Sequence, residues 1–323
     1  MDIIQLEESM QQVDVIVREV GLRDGLQIHP TFMPTDSKIA WIEAEAAAGV
    51  AEIEVTSYVP PKLIPQFADA EEVTRRALGV AGLTVAALIP NSRGAERGIA
   101  LGVHKLNFVM SVSRTHNLKN VRREREESVA DFRKIVEIVR ALPAGTRPKI
   151  VGGLSTALGC SYEGRVAVAD VVRYAVQLVE AGADEIVVAD TVGYADPVQV
   201  RTVFKAVMAE LGALPIAAHF HDTRGTGLAN VGAAVECGVR RFDASLAGLG
   251  GCPFAPGASG NIVMDDLCFM LDSMGLRTGV DLERLLQVRN IVQAALPDIE
   301  MHGALARAGL PRNYVSAGEQ RAA

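Results

Sequence analysis

The chain has 323 residues, of which 49% are hydrophobic and 22% are charged, so it is long enough to bury a large core. Its formal net charge of −7 argues against nucleic acid or an anionic membrane as its main partner. No run of apolar residues approaches the length that spans a bilayer. We therefore expect a protein that binds neither nucleic acid nor a membrane.

The cysteines indicate a reducing compartment. There are four of them, Cys160, Cys237, Cys252 and Cys268, and no two have the spacing of a CxxC pair. The first residues are acidic and lack the basic, apolar pattern of a targeting segment. We expect free thiols and a cytoplasmic location.

Apolar runs rich in β-branched residues alternate with segments of helical spacing along the whole chain. The predicted strands are residues 13–20, 51–57, 84–89, 105–111, 148–154, 185–189, 215–220 and 241–246. Eight strand–helix units predict an α/β protein of the (β/α)8 TIM-barrel type. A doubly wound open sheet is the alternative, but no glycine-rich dinucleotide fingerprint follows the first strand.

Several helix ends can be predicted. Thr35 or Asp36 is a candidate N-cap for the first helix after strand one. The pairs Ala48-Gly49, Leu101-Gly102 and Ala181-Gly182 are typical of helix C-termini. We expect residues 1–298 to form the barrel domain, with a mobile glycine-rich loop, and residues 299–323 to form a terminal helix, tail or lid.

The strongest local signal is a pair of histidines one residue apart, His219 and His221, at the end of the seventh predicted strand. Side chains alternate across a strand, so these two imidazoles leave the same face. Imidazole is the commonest metal ligand, although a histidine on a strand is also often a hydrogen-bonded structural residue. The pair therefore predicts half of a metal site.

Further candidate ligands stand at other predicted strand ends, which meet at one rim of a barrel. Asp24 follows strand one and Asn261 follows the glycine-rich stretch after strand eight. With the two histidines they form a mixed oxygen and nitrogen set that suits Mg²⁺ or Mn²⁺, with Zn²⁺ or Co²⁺ as alternatives. Asp24 is otherwise a turn residue before Gly25, and Asn261 an N-cap for the segment 262–274.

Arg23, next to a candidate metal ligand, is suited to stabilising a developing oxyanion. Glu54 on strand two can orient Arg23, or can be a buried ion-pair partner without a catalytic role. Residues 248–260 contain five glycines and two prolines around Cys252, which is typical of a loop that closes over a site. Cys252 is a candidate proton donor or nucleophile.

Three motifs resemble the 3-hydroxy-3-methylglutaryl-CoA lyase family, which belongs to the metal-dependent TIM-barrel lyases and synthases. They are Glu19-Val-Gly-Leu-Arg23-Asp24-Gly-Leu-Gln27, His219-Phe-His221-Asp-Thr and Gly248-Leu-Gly-Gly-Cys252-Pro-Phe-Ala-Pro-Gly-Ala-Ser-Gly-Asn261. The likeness extends over roughly residues 13–296. It implies a retro-Claisen cleavage that depends on a divalent metal and yields acetyl-CoA and acetoacetate.

The resemblance also implies roles for matching positions. It implies a metal site made by four residues, Asp24, His219, His221 and Asn261. Asp24 or His219 would take the proton of the 3-hydroxyl, Arg23 would stabilise the enolate oxygen, and Cys252 would protonate the enolate carbon. Candidate substrate contacts at the strand ends are Gln27, Ser113, Thr156 and Asp190. An acyl-CoA substrate and a homodimer or larger assembly are implied as well.

The chain departs from the family pattern beside the expected acyl pocket. Ile28-His29 stands where the family usually has Asn-Glu, and Gly153 stands where many members carry a tyrosine. An aromatic side chain buries about 150–250 Å², so its loss would open the wall of the pocket. We therefore hypothesise that the pocket accepts a 3-hydroxyacyl-CoA that is bulkier than 3-hydroxy-3-methylglutaryl-CoA or differently substituted.

Three other functions remain open from the sequence. A Claisen-type acyl-CoA synthase of the same barrel group usually has an acidic residue where this chain has Leu26. A metal-dependent aldolase acting on a 2-oxo acid would leave the Cys252 loop without a function. A non-catalytic CoA-binding protein is disfavoured because Arg23, Asp24 and His221 are all present.

Overall fold

The computed structural model describes residues 13–250 and 260–322. Eight parallel strands close into a barrel in which every strand pairs with its neighbours in chain order and β8 pairs with β1. The strands are β1 Ile16–Glu19, β2 Glu52–Ser57, β3 Thr84–Ile89, β4 Lys105–Ser111, β5 Lys149–Ser155, β6 Glu185–Asp190, β7 Ile216–Phe220 and β8 Arg241–Ala244. The predicted (β/α)8 barrel is confirmed, and the open sheet is excluded.

Helices connect the strands and cover the outside of the barrel. They are α1 Thr35–Ala47, α2 Ala70–Ala77, α3 Ser92–Leu101, α4 Arg114–Val121, α5 Arg125–Arg140, α6 Val168–Ala181, α7 Pro197–Leu211, α8 Gly227–Glu236, α9 Met264–Ser273, α10 Leu282–Ala295, α11 Ala304–Ala308 and α12 Ala317–Ala322. The large apolar core lies between this helical layer and the strands. Within the described residues, no helix is both long enough and apolar enough to cross a membrane.

The predicted strand bounds agree with the structure to within one or two residues, except at the start of the first strand. β1 begins at Ile16 rather than at residue 13. The backbone N–H groups of Asp14 and Val15 instead donate to the carbonyl of Arg277, at 2.8 and 3.2 Å. The side chain of Arg277 also pairs with Asp14. This segment therefore anchors the connection between α9 and α10 before the strand begins.

The predicted helix C-termini are confirmed, whereas the predicted N-cap of α1 is wrong. Gly49, Gly102 and Gly182 all have positive φ, at 96°, 84° and 116°. At α1, Pro34 occupies the N-cap position and makes no side-chain cap. Thr35 instead donates to Asp69 at 2.8 Å, and the side chain of Asp36 accepts from Arg76 at 2.6 Å. Tertiary partners on α2 and beside it thus compete with capping.

The lower part of the barrel interior is ionic rather than apolar. Six side chains form what we call the floor network, Arg18, Glu52, Lys105, Glu185, Arg241 and Asp243. Arg18 donates to Asp243 and Glu185, and Lys105 Nζ lies 2.7 Å from Glu52 and 3.3 Å from Glu185. Because buried charges need partners, these strands must meet in the observed register.

The described part of the C-terminal segment packs along α9. Asp266 accepts from the backbone N–H groups of Ala304 and Leu305, at 2.8 and 2.7 Å. The N–H of His302 donates to the carbonyl of Ala247 at 2.9 Å, in the turn that follows β8. The segment thus contacts the base of the glycine-rich loop. The division of the chain into a barrel domain that ends at residue 298 and a separate terminal segment stays a prediction.

We expect Gly49→Ala to destabilise the protein more than Gly102→Ala. Both substitutions place a side chain at positive φ, which costs about 1–2 kcal/mol. A Cβ at Gly49 would also lie 2.1 Å from the carbonyl oxygen of Gly279, whereas a Cβ at Gly102 would meet no atom of the described residues within 4 Å. Thermal denaturation of both variants measures the difference, and equal losses would show that the contact with Gly279 relaxes freely.

Candidate metal centre and active site

A cavity of about 590 Å³ opens at the carboxyl ends of the strands. This end of a (β/α)8 barrel carries the active site in characterised enzymes. Polar side chains reach the cavity from most of the strands or the turns that follow them, including Arg23, Asp24, Gln27, Glu54, Ser57, Asn91, Asn107, Ser155, Thr191, His219, His221 and Asp243. Residues far apart in the sequence therefore meet at one rim, as predicted.

The structure brings His219, His221 and Asp24 together. The two Nε2 atoms of the histidines lie 3.1 Å apart, and Nε2 of His221 lies 3.5 Å from Oδ2 of Asp24. One donor atom from each of the three residues lies within 4.8 Å of the others, and all three residues are buried. Two ring nitrogens and a carboxylate at such distances are suited to sharing one cation.

Asn261 lies beside these three residues, and the amide nitrogen of its side chain faces Asp24. Nδ2 donates to Oδ2 of Asp24 at 2.7 Å and to the carbonyl of Leu249 at 3.0 Å. Oδ1 is buried and has no hydrogen-bond partner in the described part of the chain. The alternative of an N-cap is wrong, because α9 begins at Met264 with Val263 in the cap position. Asn261 instead forms an isolated β-bridge with His221.

These donors fit a divalent cation. A buried amide oxygen without a partner costs about 1–3 kcal/mol, and metal ligation would satisfy it. Asp24 contributes a negative charge, because the surrounding residues keep its carboxyl group ionised. Burial alone would raise the pKa of Asp24, but the charge of Arg23 and a hydrogen bond from His221 hold that pKa well below its usual range. A carboxylate, two imidazoles and an amide oxygen suit Mg²⁺ or Mn²⁺.

Arg23 lies between two carboxylates. Its Nε donates to Oε2 of Glu54, and its Nη1 lies 2.5 Å from Oδ1 of Asp24. The other oxygen of Glu54 accepts from Asn107 at 2.8 Å, so Glu54 is itself held in place. The predicted contact between Glu54 and Arg23 is confirmed, while a catalytic role for either stays a prediction. Gln27 donates to the same Oδ1 of Asp24 at 2.8 Å.

Ser113, Thr156 and Asp190 are fully buried and shape the strand ends rather than lining the cavity. Ser113 is the N-cap of α4, and its N–H donates to Thr156 Oγ1 at 3.1 Å. Asp190 accepts from the backbones of Tyr194 and Ala195, at 2.8 and 3.0 Å. Their predicted contact with substrate therefore stays a prediction.

Cys252 and most of the glycine-rich loop lie outside the described residues, which flank it at Gly250 and Gly260. The N–H of Gly260 donates to the carbonyl of Gly250 at 2.9 Å. Gly250 has φ of 138°, and a Cβ there would lie 2.2 Å from Nδ2 of Asn261. Only glycine fits this position, because the backbone leading into the loop passes directly over the candidate metal ligands.

Sequence reasoning missed two residues that line the cavity, Asn107 and Asp243. Oδ1 of Asn107 is buried without a partner among residues 13–250 and 260–322. Oδ2 of Asp243 lies 3.1 Å from Nδ1 of His219. The only signal was a polar residue within a predicted strand, and that signal does not say which face of the strand points into the barrel.

The fold and the site define a class of protein: a TIM-barrel enzyme with a candidate Asp–His–His metal centre and an arginine at the carboxyl ends of its strands. Comparison with known proteins identifies the family. The model of the HMGL-like family matches residues 14–292, and the chain belongs to that family.

Named relatives agree with this assignment. The chain is 42% identical to hydroxymethylglutaryl-CoA lyase YngG of Bacillus subtilis over 86% of its own length and 92% of the relative's. It is 39% identical to the mitochondrial hydroxymethylglutaryl-CoA lyase of the mouse, over 88% of this chain and 86% of the relative. An HMG-CoA lyase from Acinetobacter baumannii, solved with coenzyme A and 3-methylmalate, superposes with a TM-score of 0.86 at 41% identity, covering 93% and 97% of the two chains. All three carry the name of a lyase rather than of a synthase or an aldolase.

We expect Asp24→Asn to abolish tight metal binding. The substitution keeps the shape of the side chain but removes the anionic ligand. Loss of a residue that only supports a metal ligand lowers metal affinity by up to about 100-fold, so loss of the ligand itself should lower the affinity for Mn²⁺ by more than that. Isothermal titration calorimetry of the metal-free protein measures this. Asp222→Asn is the control, because Asp222 adjoins His221 but its side chain, in the described part of the chain, accepts from the N–H of Gly227 at 2.7 Å rather than joining the three donors. Equal affinities for the two variants would contradict the assignment of Asp24.

Proposed function

We propose that the chain cleaves the C2–C3 bond of 3-hydroxy-3-methylglutaryl-CoA and releases acetyl-CoA and acetoacetate. The observation that carries the proposal is the position of Arg23, whose guanidinium contacts Asp24 of the candidate metal centre inside a cavity at the rim of the barrel. Membership of the HMGL-like family and relatives named hydroxymethylglutaryl-CoA lyases support it.

Loss of the 3-hydroxyl proton starts the reaction, because the electron pair of the O–H bond becomes the second bond of the new ketone. A divalent cation held by Asp24, His219, His221 and Asn261 would supply Lewis acidity to the substrate oxygens. Burial lowers the pKa of His219, but the hydrogen bond and charge of Asp243 outweigh that effect and raise it above its ordinary value. We assign acceptance of that proton to Asp24 or His219, both of which lie at the candidate metal centre.

Bond cleavage leaves the electron pair on the thioester fragment as an enolate, and the chain must stabilise that negative charge. Burial works against the charged form of Arg23, but Glu54 and Asp24 raise its pKa above the ordinary value, so the guanidinium stays cationic. Its pairing with Glu54 limits its motion, as electrostatic stabilisation requires. Protonation of the enolate carbon then gives acetyl-CoA, and we assign that proton to Cys252.

The substituent on C3 would lie against an apolar part of the cavity. Val109, Gly153 and Val187 line the cavity from β4, β5 and β6 and are only half-buried, although they lie within strands. Gly153 offers no side chain there, and Leu63 at the mouth is 64% exposed. This wall supports a substrate range that extends to 3-hydroxyacyl-CoA thioesters with longer apolar C3 substituents.

The remaining assignments of the proposal concern partners and location. Coenzyme A accompanies 3-methylmalate in the related Acinetobacter structure, which supports an acyl-CoA substrate. We assign Mg²⁺ or Mn²⁺ as the cation, a homodimer or larger assembly, and the cytoplasm as the compartment. Metal analysis of the purified protein and light scattering after gel filtration test the first two.

We expect the metal-stripped protein to cleave 3-hydroxy-3-methylglutaryl-CoA only after Mg²⁺ or Mn²⁺ is added. The measurement is the amount of acetyl-CoA and acetoacetate, which should form in equal quantities. Cys252→Ser should lower kcat by about 10²–10⁴, the range for loss of a general acid, without weakening metal binding. Cys237→Ser is the control, because Cys237 lies at the end of α8, away from the cavity. Absence of both products with the metal bound would overturn the proposal.

We expect longer apolar substituents on C3 to be tolerated. The ratio of kcat/KM for a 3-butyl analogue to that for the 3-methyl substrate should stay within about tenfold of unity, since apolar area that leaves water offsets the added bulk. Val187→Phe should lower kcat/KM only for the butyl analogue, because the phenyl ring would occupy the part of the cavity that the butyl group would contact. Normal cleavage of the methyl substrate without any cleavage of the butyl analogue would contradict this range.

A further inference from the structure

The two histidines of the metal centre differ in what holds their second ring nitrogen. We propose that Asp243 is a positioning residue for the metal centre, which fixes His219 with its proton on Nδ1 and leaves Nε2 free to face Asp24 and His221. The proposal rests on the metal centre of the proposed function, but it concerns metal binding rather than turnover.

The sheet itself places Asp243 beside His219. The two residues are direct register partners in the pairing of β7 with β8, and both are 7% exposed. Nδ1 of His219 lies 3.1 Å from Oδ2 of Asp243, while Nε2 lies on the opposite side of the ring, 3.1 Å from Nε2 of His221. The carboxylate thus holds the ring from the side away from the metal donors.

Asp243 can only accept a hydrogen bond, because the floor network keeps it ionised. Its Oδ1 accepts from Nε of Arg18 at 2.6 Å and lies 2.5 Å from Nη2 of the same guanidinium. An ionised carboxylate has no proton to donate, so Nδ1 of a neutral His219 must carry the N–H.

His221 lacks an equivalent support. Its Nδ1 is buried and has no hydrogen-bond partner among the residues that the structure describes. Of the two histidines of the site, therefore, His219 is the one whose tautomer is determined by a partner within the described residues. Partners of this kind typically contribute 10–100-fold to metal affinity, because the ligand need not reorient or lose a proton before binding.

Asp243→Asn inverts the hydrogen bond without changing the size of the side chain. The amide oxygen still accepts from Arg18, while the amide nitrogen donates to Nδ1 of His219, so the ring proton moves to Nε2. We expect the affinity of the metal-free protein for Mn²⁺, measured from the electron paramagnetic resonance signal of free Mn²⁺, to fall by about 10–100-fold. Asp243→Glu, which again only accepts, should recover part of the loss.

Glu52→Gln is the matched control. Glu52 belongs to the same floor network, where it pairs with Lys105 at 2.7 Å and lies 3.7 Å from Arg18, but no bond joins it to His219 in the described structure. Its loss should change Mn²⁺ affinity less than threefold. If both variants weaken binding equally, the network acts through overall charge or stability and the proposal is overturned.

A measurement on the unaltered protein tests the tautomer directly. Long-range ¹H–¹⁵N correlation of the metal-free protein, recorded at a pH where the ring of His219 is neutral and assigned with His219→Gln, should show a protonated Nδ1 and an unprotonated Nε2 for His219. A protonated Nε2 as the main form overturns the proposal even if Asp243→Asn does not fold. Because neither experiment uses a substrate, failure of lyase activity leaves both results interpretable.

Discussion

The structure depends on how the buried guanidinium of Arg18 is compensated. It lies inside the barrel, 3% exposed, and its partners are Asp243 on the neighbouring strand β8 and Glu185 on β6. An unpaired charge at this depth would cost several kcal/mol, so the pairing holds only if β1 stands next to β8 in the observed register. Closure of the barrel and satisfaction of its interior charges are thus one requirement.

The ion pair between Arg18 and Asp243 also supports the candidate metal centre. Asp243 receives Arg18 on one oxygen and His219 on the other, so it links the floor of the barrel to the metal donors in two contacts. A second chain of contacts runs from Asn107 through Glu54 and Arg23 to Asp24. The reactive groups are therefore held by buried partners on rigid strands, as precise electrostatic stabilisation requires.

The sequence was sufficient where a signal was local. Alternation of apolar residues located the strands, and the spacing of His219 and His221 placed both imidazoles at one site. It was insufficient where the direction or the partner of a side chain depends on tertiary contacts. Asp243 and Asn107 are polar residues within strands, and their inward direction is known only once the barrel closes. Thr35, one of the two expected N-cap residues, instead donates a hydrogen bond to Asp69, which lies 34 positions away in the chain. Residues 251–259, with Cys252, are outside the described structure, so the predicted proton donor rests on sequence alone.

The floor network also makes the barrel indivisible. The first four strands contribute two of its cations and one carboxylate, Arg18, Lys105 and Glu52, and the last four contribute two carboxylates and one cation, Glu185, Asp243 and Arg241. Each half therefore carries a surplus charge of opposite sign, and each would bury an unpaired ion if it closed with a copy of itself. Heterologous half-barrels would have to match this charge pattern, as well as strand geometry, to recombine into a working chimera.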